Sequence, residues 1–313
     1  MTEETFRLIR PRAADISLRR LLRVDGEAGP VRLDAIDPRS TPGLPPAEVV
    51  GDRPKLWARA QLAGLGAELA RQQEMLVATA KRAGSGGPRV LVVLQAMDAG
   101  GKDGVVKRVA GAMNPLGLHI RAFGPPTDEQ RRHHFLWRVR RALPAPGQVG
   151  IFNRSHYEDV LIARVESLVP EEVWRARYDE INDFEAELRG SGVSLVKVML
   201  HISYEEQRDR LLARLDDPTK HWKYDPADVD ARARWGDYRA AYAEALSRTS
   251  TPAAPWHVVP ADRKWYRDWA VAQLLRETFA ELGLRYPAAD FDVAAERTRL
   301  LRDAESEHQV NAD

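Results

Sequence analysis

The sequence predicts a three-layer α/β/α fold, in which a parallel sheet lies between two layers of helices. Short apolar runs alternate with amphipathic helical segments along most of the 313 residues, and this rhythm is typical of parallel sheets. It is clearest from Arg89 to Val106, where an apolar strand leads straight into a glycine turn, a lysine and an amphipathic helix. The strand is apolar throughout, as expected when helices cover both of its faces.

The first part of the chain predicts an arm and then a long helix. Residues 1–50 contain many prolines and few periodic apolar positions, so we expect an arm that lies over the domain. From Lys55 to Ala83 apolar residues recur at helical spacing, which predicts one long helix. The glycine-rich segment 84–88 ends this helix and leads into the first strand.

Strand and helix signals continue to alternate after the first strand. Two capping boxes, Thr127 with Gln130 and Ser203 with Glu206, mark the beginnings of helices. The further predicted strands are 118–123, 148–153, 194–202 and 256–259, and the predicted helices are 102–113, 127–142, one beginning near 155, 170–188, 203–215, 226–247 and 262–282. Residues 51–290 thus form one large domain, and residues 291–313 form a charged tail that we expect to be mobile.

Composition limits the possible functions. Lysine and arginine number 47 against 46 for aspartate and glutamate, so there is no global basic field for nonspecific nucleic-acid binding. The absence of cysteine excludes disulfides and cysteine-based metal or thiol chemistry. The start MTEETFRL has no apolar signal core, and no run approaches membrane-spanning length. We therefore expect a cytoplasmic protein that binds neither nucleic acid nor membrane.

The glycine turn after the first strand matches part of a phosphate-binding loop. That motif has a glycine, four free residues, a glycine, a lysine and a serine or threonine. Gly101 and Lys102 match it, whereas Ala96 and Asp103 stand at the first glycine and at the hydroxyl position. Backbone N–H groups and a lysine side chain still favour an anion here, although a plain turn between strand and helix is the structural alternative. The phosphate-binding candidates are Gly100, Gly101, Lys102, Asp103 and Gly104.

Asp98 is an unusual residue for such a loop. A carboxylate repels a phosphate group unless a divalent cation lies between them. Asp98 therefore indicates either a bridging Mg²⁺ ion or a role in activating an anionic acceptor.

A second cluster extends from Asn153 to Asp159, where many phosphate-loop enzymes carry a metal-binding aspartate after an apolar strand. Asn153 brings no charge, so Glu158 or Asp159 would supply the carboxylate, and the sequence leaves both open. Arg154 is suited to bidentate phosphate binding. Its alternative role is that of a surface arginine at the end of a strand.

A third cluster is basic and lies within residues 208–234, around a proline-bounded loop between two helices. A loop of this kind can close over phosphates as a lid. We expect Arg214, Lys220 and Lys223 to bind phosphate, although interleaved aspartates could instead pair with these charges on solvated helix faces. The second-rank candidates, at the beginning of the last helix, are Asp262, Lys264 and Arg267.

Several runs occur in order from about Leu56 to Leu282, namely LVVLQAMDAGGKDGVVKRV, NPLG, FLWRV, GIFNRSHYEDVL, RLDDPTKHWKYDPAD and APWHVVPADRKWYRDWAV. Together they resemble the polyphosphate kinase 2 family. The resemblance implies a phosphate-loop (P-loop) kinase-like fold with a helical lid. It also implies transfer of the terminal phosphoryl group of inorganic polyphosphate to a nucleotide. The run FNRS followed by YEDV resembles the subgroup that phosphorylates both AMP and ADP.

The resemblance further implies roles for residues and partners. The substrates would be inorganic polyphosphate and nucleoside mono- and diphosphates, and the protein would be a homodimer or a homotetramer. Mg²⁺ would be the cofactor, with Asp98 and Asp159 as its ligands. The implied catalytic residues are Asp98, Lys102, Arg154 and Asp159. The implied nucleotide-binding residues are Asn153, Arg154, Tyr157 and Glu158.

Two other functions compete with this one. An ATP-dependent nucleotide kinase of the thymidylate-kinase type would carry a hydroxyl group after the loop lysine, and Asp103 argues against it. A catalytically silent polyanion-binding protein would be favoured by the loss of Asp98 or Lys102, and both residues are present.

Overall fold

The computed structural model describes residues 17–26 and 29–310, except for the side chains of Ser85 and of residues 303–310. The predicted arm and the predicted tail therefore lie partly outside the described residues. Within the part of the chain that is described, no helix is long and apolar enough to cross a lipid bilayer.

The sheet brings the two central strands side by side. The strands are β1 (Arg89–Ala96), β2 (Leu118–Ala122), β3 (Val149–Asn153), β4 (Val193–His201) and β5 (Trp256–Pro260). Among the described residues, these five strands form a parallel sheet in the order β2-β3-β1-β4-β5. Leu94 of β1 is in register with Asn153 of β3. The carboxyl ends of β1 and β3 thus meet at one edge, which is where α/β folds bind ligands.

The α-helices of the described residues are α1 (Leu18–Leu22), α2 (Ala47–Val50), α3 (Pro54–Ala83), α4 (Lys102–Arg108), α5 (Asp128–Arg131), α6 (Trp137–Arg140), α7 (Ile162–Val165), α8 (Glu171–Gly190), α9 (Tyr204–Leu215), α10 (Ala227–Ala233), α11 (Trp235–Thr249), α12 (Lys264–Leu282) and α13 (Val293–Val310). Helices α3 and α4 pack with α12, whereas α7, α8 and α11 contact one another. Every residue of β4 is buried, which requires cover on both faces of the sheet. The predicted α/β/α architecture is confirmed.

The described part of the arm joins the hydrophobic core. Its buried apolar residues are Leu18, Leu22, Val24 and Leu33. Val24 donates its backbone N–H to the carbonyl oxygen of Trp256 at 2.8 Å, so the arm covers the edge strand β5. The domain boundary near residue 50 stays a prediction from the sequence.

Three predicted helices are shorter or divided in the structure, and the one predicted over 226–247 is divided into α10 and α11. The helix after the phosphate loop ends at Arg108, and the side chain of Gln73 fixes the following turn by bonding the backbone N–H and C=O of Asn114. The helix predicted over 127–142 is divided into α5 and α6. The ring of His134 causes this break, because it accepts the N–H of Leu136 and bonds Glu180, which replaces helical backbone pairing.

The ends of other helices also differ from expectation. The capping box of Thr127 with Gln130 is present in full. At α9, Ser203 accepts the N–H of Glu206, but the N–H of Ser203 itself donates to Asp262 at 2.9 Å. Residues 293–310 of the predicted tail form the helix α13, and the mobility of the tail stays a prediction. This helix begins where the carboxylate of Asp292 accepts two backbone N–H groups.

Candidate active site

The phosphate loop joins the end of β1 to the first turn of α4. Lys102 is the first residue of α4, and its buried Nζ donates to the carbonyl oxygen of Ala96 at 2.9 Å. The lysine therefore folds back across the loop that precedes it. Ala99 and Gly101 have φ angles of 57° and 103°, and such positive angles are unusual for alanine.

The charge of Lys102 is sensitive to its surroundings. Burial lowers the pKa of Lys102, and the nearby guanidinium of Arg154 lowers it further, against the opposing effect of Asp98. Burial acts in this direction because the charged form is poorly solvated in the interior. An anion bound beside Nζ would stabilise the ammonium form.

A cluster of arginines lies against the outer side of the loop. Arg210 donates to the carbonyl oxygen of Ala99 at 2.9 Å. The buried guanidinium of Arg267 packs against Gly101 so closely that a Cβ atom there would lie 1.9 Å from Nη1. Arg267 also pairs with Asp268 at 2.8 Å.

The sequence identified this arginine cluster incompletely. It included Arg210 only as an unassigned member of the basic cluster within residues 208–234, placed Arg267 in the second rank and missed Arg108, which shares the carboxylate of Asp268. A Cβ atom on Gly104 would lie 2.5 Å from Nη2 of Arg108. The sequence does indicate that Arg108 lies beside the loop, because Arg108 follows Gly104 by four residues and residues at this spacing lie on one face of a helix.

Arg154 reaches the loop from the neighbouring strand β3. Its φ angle is 62°, and its backbone N–H donates to the carbonyl oxygen of Leu94 at 3.1 Å. Its Nη2 donates to Oδ1 of Asp98 at 2.8 Å, and its Nη1 lies 3.6 Å from Oε2 of Glu158. The structure thus brings together Asp98, Arg154 and Glu158.

These three residues form one side of a cleft. The opposite wall comes mainly from α11, with the side chains of Trp235, Tyr238 and Tyr242. The space inside measures only about 40 Å³. Burial raises the pKa of Glu158, although Arg154 and Lys102 oppose this effect.

The lid consists of α9, a 3-10 turn (Pro218–Lys223) and α10. Lys223 reaches the loop, with its Nζ 3.7 Å from Oδ2 of Asp103, and Asn153 donates to the other oxygen of Asp103 at 2.9 Å. Arg214 donates to the carbonyl oxygen of Lys223 at 2.9 Å and therefore supports the turn. Lys220 pairs within the turn, at 2.6 Å from Asp217.

Two predicted site residues point away from the cleft. Tyr157 is fully buried, and its hydroxyl group donates to Glu185 inside the core at 2.9 Å, so it is in no position to contact a nucleotide. Asp159 lies between two arginines, at 3.3 Å from Arg138 and 3.7 Å from Arg177. Of the two carboxylates that the sequence left open, Glu158 is the one that faces the cleft.

A parallel sheet with a lysine-bearing phosphate loop and a basic lid defines a P-loop kinase-like phosphotransferase. The chain belongs to the polyphosphate kinase 2 family, whose sequence profile matches residues 62–283. The resemblance that the sequence indicated is thereby confirmed.

Similar proteins and structures agree with this assignment. The AMP/ADP-polyphosphate phosphotransferase of Meiothermus ruber is 47% identical over 226 residues, which cover 72% of this chain and 82% of that protein. The ADP-polyphosphate phosphotransferase of Rhodopseudomonas palustris is 41% identical over 242 residues, covering 74% and 81%. The crystal structure of polyphosphate kinase 2 from Arthrobacter aurescens TC1 matches with a TM-score of 0.86 and 48% identity, and covers 92% of this chain and 98% of that chain.

Proposed function

We propose that this enzyme transfers the terminal phosphoryl group of inorganic polyphosphate to AMP and to ADP. The proposal rests on the position of Asp98, which lies between two different binding surfaces. On one side lies the phosphate loop with Lys102, and on the other lies the cleft formed by Arg154 and Glu158. A phosphotransferase needs two such sites, one for each phosphate-bearing anion.

The donor would occupy the loop side. Lys102, the backbone of Gly100 and Gly101, and Lys223 of the lid would bind the terminal phosphates of the polymer. Closure of the lid would exclude water, which otherwise competes as an acceptor.

The acceptor nucleotide would occupy the cleft. Arg154 would bind its terminal phosphate by two N–H groups and direct an oxygen of that phosphate at the terminal phosphorus of the donor. The terminal phosphoanhydride bond of the polymer breaks as the new P–O bond forms, and the shortened polymer leaves. Positioning and charge stabilisation supply most of the rate enhancement in such transfers.

Mg²⁺ belongs to this proposal. Mg²⁺ commonly uses one or two carboxylates together with substrate phosphates and water, and the carboxylates of Asp98 and Glu158 both line the cleft. Asp98 would hold the ion, which neutralises phosphate oxygens when bound. The predicted second ligand Asp159 already pairs with Arg138 and Arg177, so Glu158 is the better candidate.

Acceptance of both AMP and ADP is supported by the relative from Meiothermus ruber, which is named for both acceptors.

The test is to incubate the purified protein with Mg²⁺ and long-chain polyphosphate, together with either AMP or ADP. We expect ADP and ATP as products, separated by chromatography. Failure to phosphorylate either nucleotide, with ATP serving as the donor instead, would favour the ATP-dependent kinase. Binding of polyphosphate without any transfer would favour the silent polyanion-binding protein.

The first residue-level prediction concerns the loop. Lys102→Ala and Asp98→Asn should each abolish transfer, since the first removes the ammonium group that would bind donor phosphate and the second removes the carboxylate that would hold Mg²⁺. Circular dichroism should stay unchanged in both variants. The matched control is Lys107→Ala, because Lys107 is an exposed lysine of the same helix. Turnover at the wild-type rate in either loop variant would contradict the assignment of the loop.

The expected homodimer or homotetramer and the cytoplasmic location are also part of the proposal. Light scattering after size-exclusion chromatography tests the first of these, and cell fractionation tests the second.

A further inference from the structure

A network of buried polar side chains lies near the cleft, and the mechanism above does not use it. Lys197 of β4 and Glu185 of α8 form an ion pair at 2.5 Å, and both side chains are fully buried. Nζ of Lys197 also donates to the hydroxyl oxygen of Tyr157 at 2.8 Å and to the carbonyl oxygen of Thr249 at 2.7 Å. All three N–H donors of the ammonium group are thus satisfied.

The rest of the network is also paired, except that the buried Nδ1 of His156 has no hydrogen-bond partner. The hydroxyl group of Tyr157 lies 2.9 Å from Glu185 and 3.1 Å from Oγ1 of Thr249. The indole N–H of Trp256 donates to the same Oγ1 atom, and Nε2 of His156 lies 3.2 Å from Glu185. Burial raises the pKa of Tyr157 well above its ordinary value, so this hydroxyl group stays protonated.

Stability alone is a poor explanation for such a network. Removing two charges from water costs free energy that offsets much of their mutual attraction. Replacing a buried ion pair by apolar residues is therefore often neutral or stabilising. Geometry is the better explanation, because the buried ammonium group of Lys197 is satisfied only when Glu185, Tyr157 and Thr249 keep their places.

The network is attached to the part of the site that carries Arg154. The φ angle of Arg154 is 62°, and a side chain keeps such a backbone conformation only where its surroundings fix it. On one side, the N–H of Arg154 is fixed by Leu94. On the other side, Ser155, His156 and Tyr157 are completely buried. The backbone of Arg154 is therefore fixed on one side by Leu94 and on the other side by the buried network.

The network also reaches the opposite wall of the cleft. Thr249 is the last residue of α11, the helix whose earlier turns carry Trp235, Tyr238 and Tyr242. One set of hydrogen bonds thus connects the segment after β3 with the helix that faces it.

We propose that Lys197, Glu185 and Tyr157 are positioning residues that hold the backbone of Arg154 to Glu158 and thereby set the acceptor cleft. The inference rests on the proposed function for the identity of the acceptor. None of the three residues bonds the phosphate loop or the lid. Their loss should therefore impair the nucleotide site and leave the polyphosphate site intact.

The first test is Tyr157→Phe, which removes one hydroxyl group and keeps the ring that packs against Trp256. We expect kcat/KM for AMP and ADP to fall about tenfold to a hundredfold, because small misplacements of positioned groups have effects of this size. The KM for polyphosphate should change by less than about twofold, since the loop keeps its own contacts.

A second test removes both charges together. The double variant Lys197→Met with Glu185→Gln avoids an unpaired buried charge, and it should show the same selective loss. The matched control is Gln73→Leu, which breaks the two hydrogen bonds between the buried Gln73 and Asn114, neither of which lines the cleft. This control should lose thermal stability and keep kcat/KM for both nucleotides.

The outcomes separate the two proposals. A wild-type protein that phosphorylates neither nucleotide overturns the proposed function itself. An active wild type whose Tyr157→Phe variant has unchanged kcat/KM, or loses affinity for both substrates equally, overturns the positioning role. If the double variant fails to fold, Tyr157→Phe alone decides.

Discussion

At the scale of single residues, the phosphate loop depends on a glycine for two separate reasons. Gly101 has a φ angle of 103°, which side chains rarely adopt. The guanidinium of Arg267 also occupies the place of a side chain at Gly101, since a Cβ atom would lie 1.9 Å from it. Arg267 has little freedom to move, because it is buried and bonded to Asp268.

Gly101→Ala should therefore displace the loop and lower kcat by about a hundredfold or more, as expected when a phosphate-positioning group moves. A steady-state assay with polyphosphate and ADP measures this loss. The matched control is Gly64→Ala in α3, where a Cβ atom would meet no other atom within 4 Å. This control should keep full activity and gain about 0.5–1 kcal/mol of stability, because alanine favours helices. A Gly101→Ala enzyme with normal kcat would show that the loop tolerates the clash.

At the scale of elements, the three basic candidates of the predicted lid have different contacts, although the sequence does not distinguish them. Lys223 faces Asp103 of the phosphate loop across 3.7 Å. Lys220 is held by Asp217 at the beginning of the 3-10 turn, and this contact together with hydrogen bonds from Thr219 lowers the pKa of Asp217 to about 2. Arg214 supports the turn through the carbonyl oxygen of Lys223. The direction in which these three side chains point thus depends on the conformation of α9 and of the 3-10 turn.

The two lysines should consequently respond differently to substitution. Lys223→Ala should raise the KM for polyphosphate roughly tenfold, which corresponds to the loss of one charge-assisted contact. Lys220→Ala should raise it much less, since the ammonium group of Lys220 pairs with Asp217 and not with a residue of the phosphate loop. The difference between the variants should shrink at high salt, which screens exposed charges. An equal effect of both substitutions would contradict the assignment of Lys223 as the lysine that contacts the donor.

At the scale of the whole molecule, the core contains a histidine whose titration should affect folding. His257 lies in β5, and its Nδ1 bonds the carbonyl oxygen of Lys197 at 3.1 Å. Burial lowers the pKa of His257 to about 4, and the positive charges of Arg19, Arg23 and Lys197 act in the same direction. The folded protein therefore excludes a proton that the unfolded chain binds below pH about 6.5.

Stability should accordingly fall as the pH is lowered from about 6.5 to about 4, with His257 contributing up to about 3 kcal/mol of that loss. The sign follows because the unfolded state binds more protons in this interval. Urea unfolding of wild-type protein and of His257→Gln at several pH values measures the contribution as a difference in slope. The control is His133→Gln at an exposed ring. Identical slopes for wild type and His257→Gln would contradict the prediction.

The sequence by itself determined the order of strands and helices, the lysine-bearing loop and the family. These features depend on periodicity along the chain and on local motifs. Apolar runs identify strands that are covered on both faces. The glycine turn before Lys102 identifies a phosphate loop without any knowledge of the tertiary structure. Helix ends were predicted less well. Gln73 bonds Asn114, which is 41 residues away in the chain, and the ring of His134 accepts the N–H of Leu136 inside a segment that the sequence predicts to be one continuous helix.

Only the tertiary structure decided which residues meet. Asp98 and Arg154 are 56 residues apart in the chain, and they touch because β1 and β3 are neighbours in the sheet. Tyr157, Glu158 and Asp159 are consecutive, yet they point to the core, to the cleft and to a pair of arginines. In a tight 3-10 turn successive side chains point about a third of a revolution apart, so their directions depend on how the turn sits in the fold.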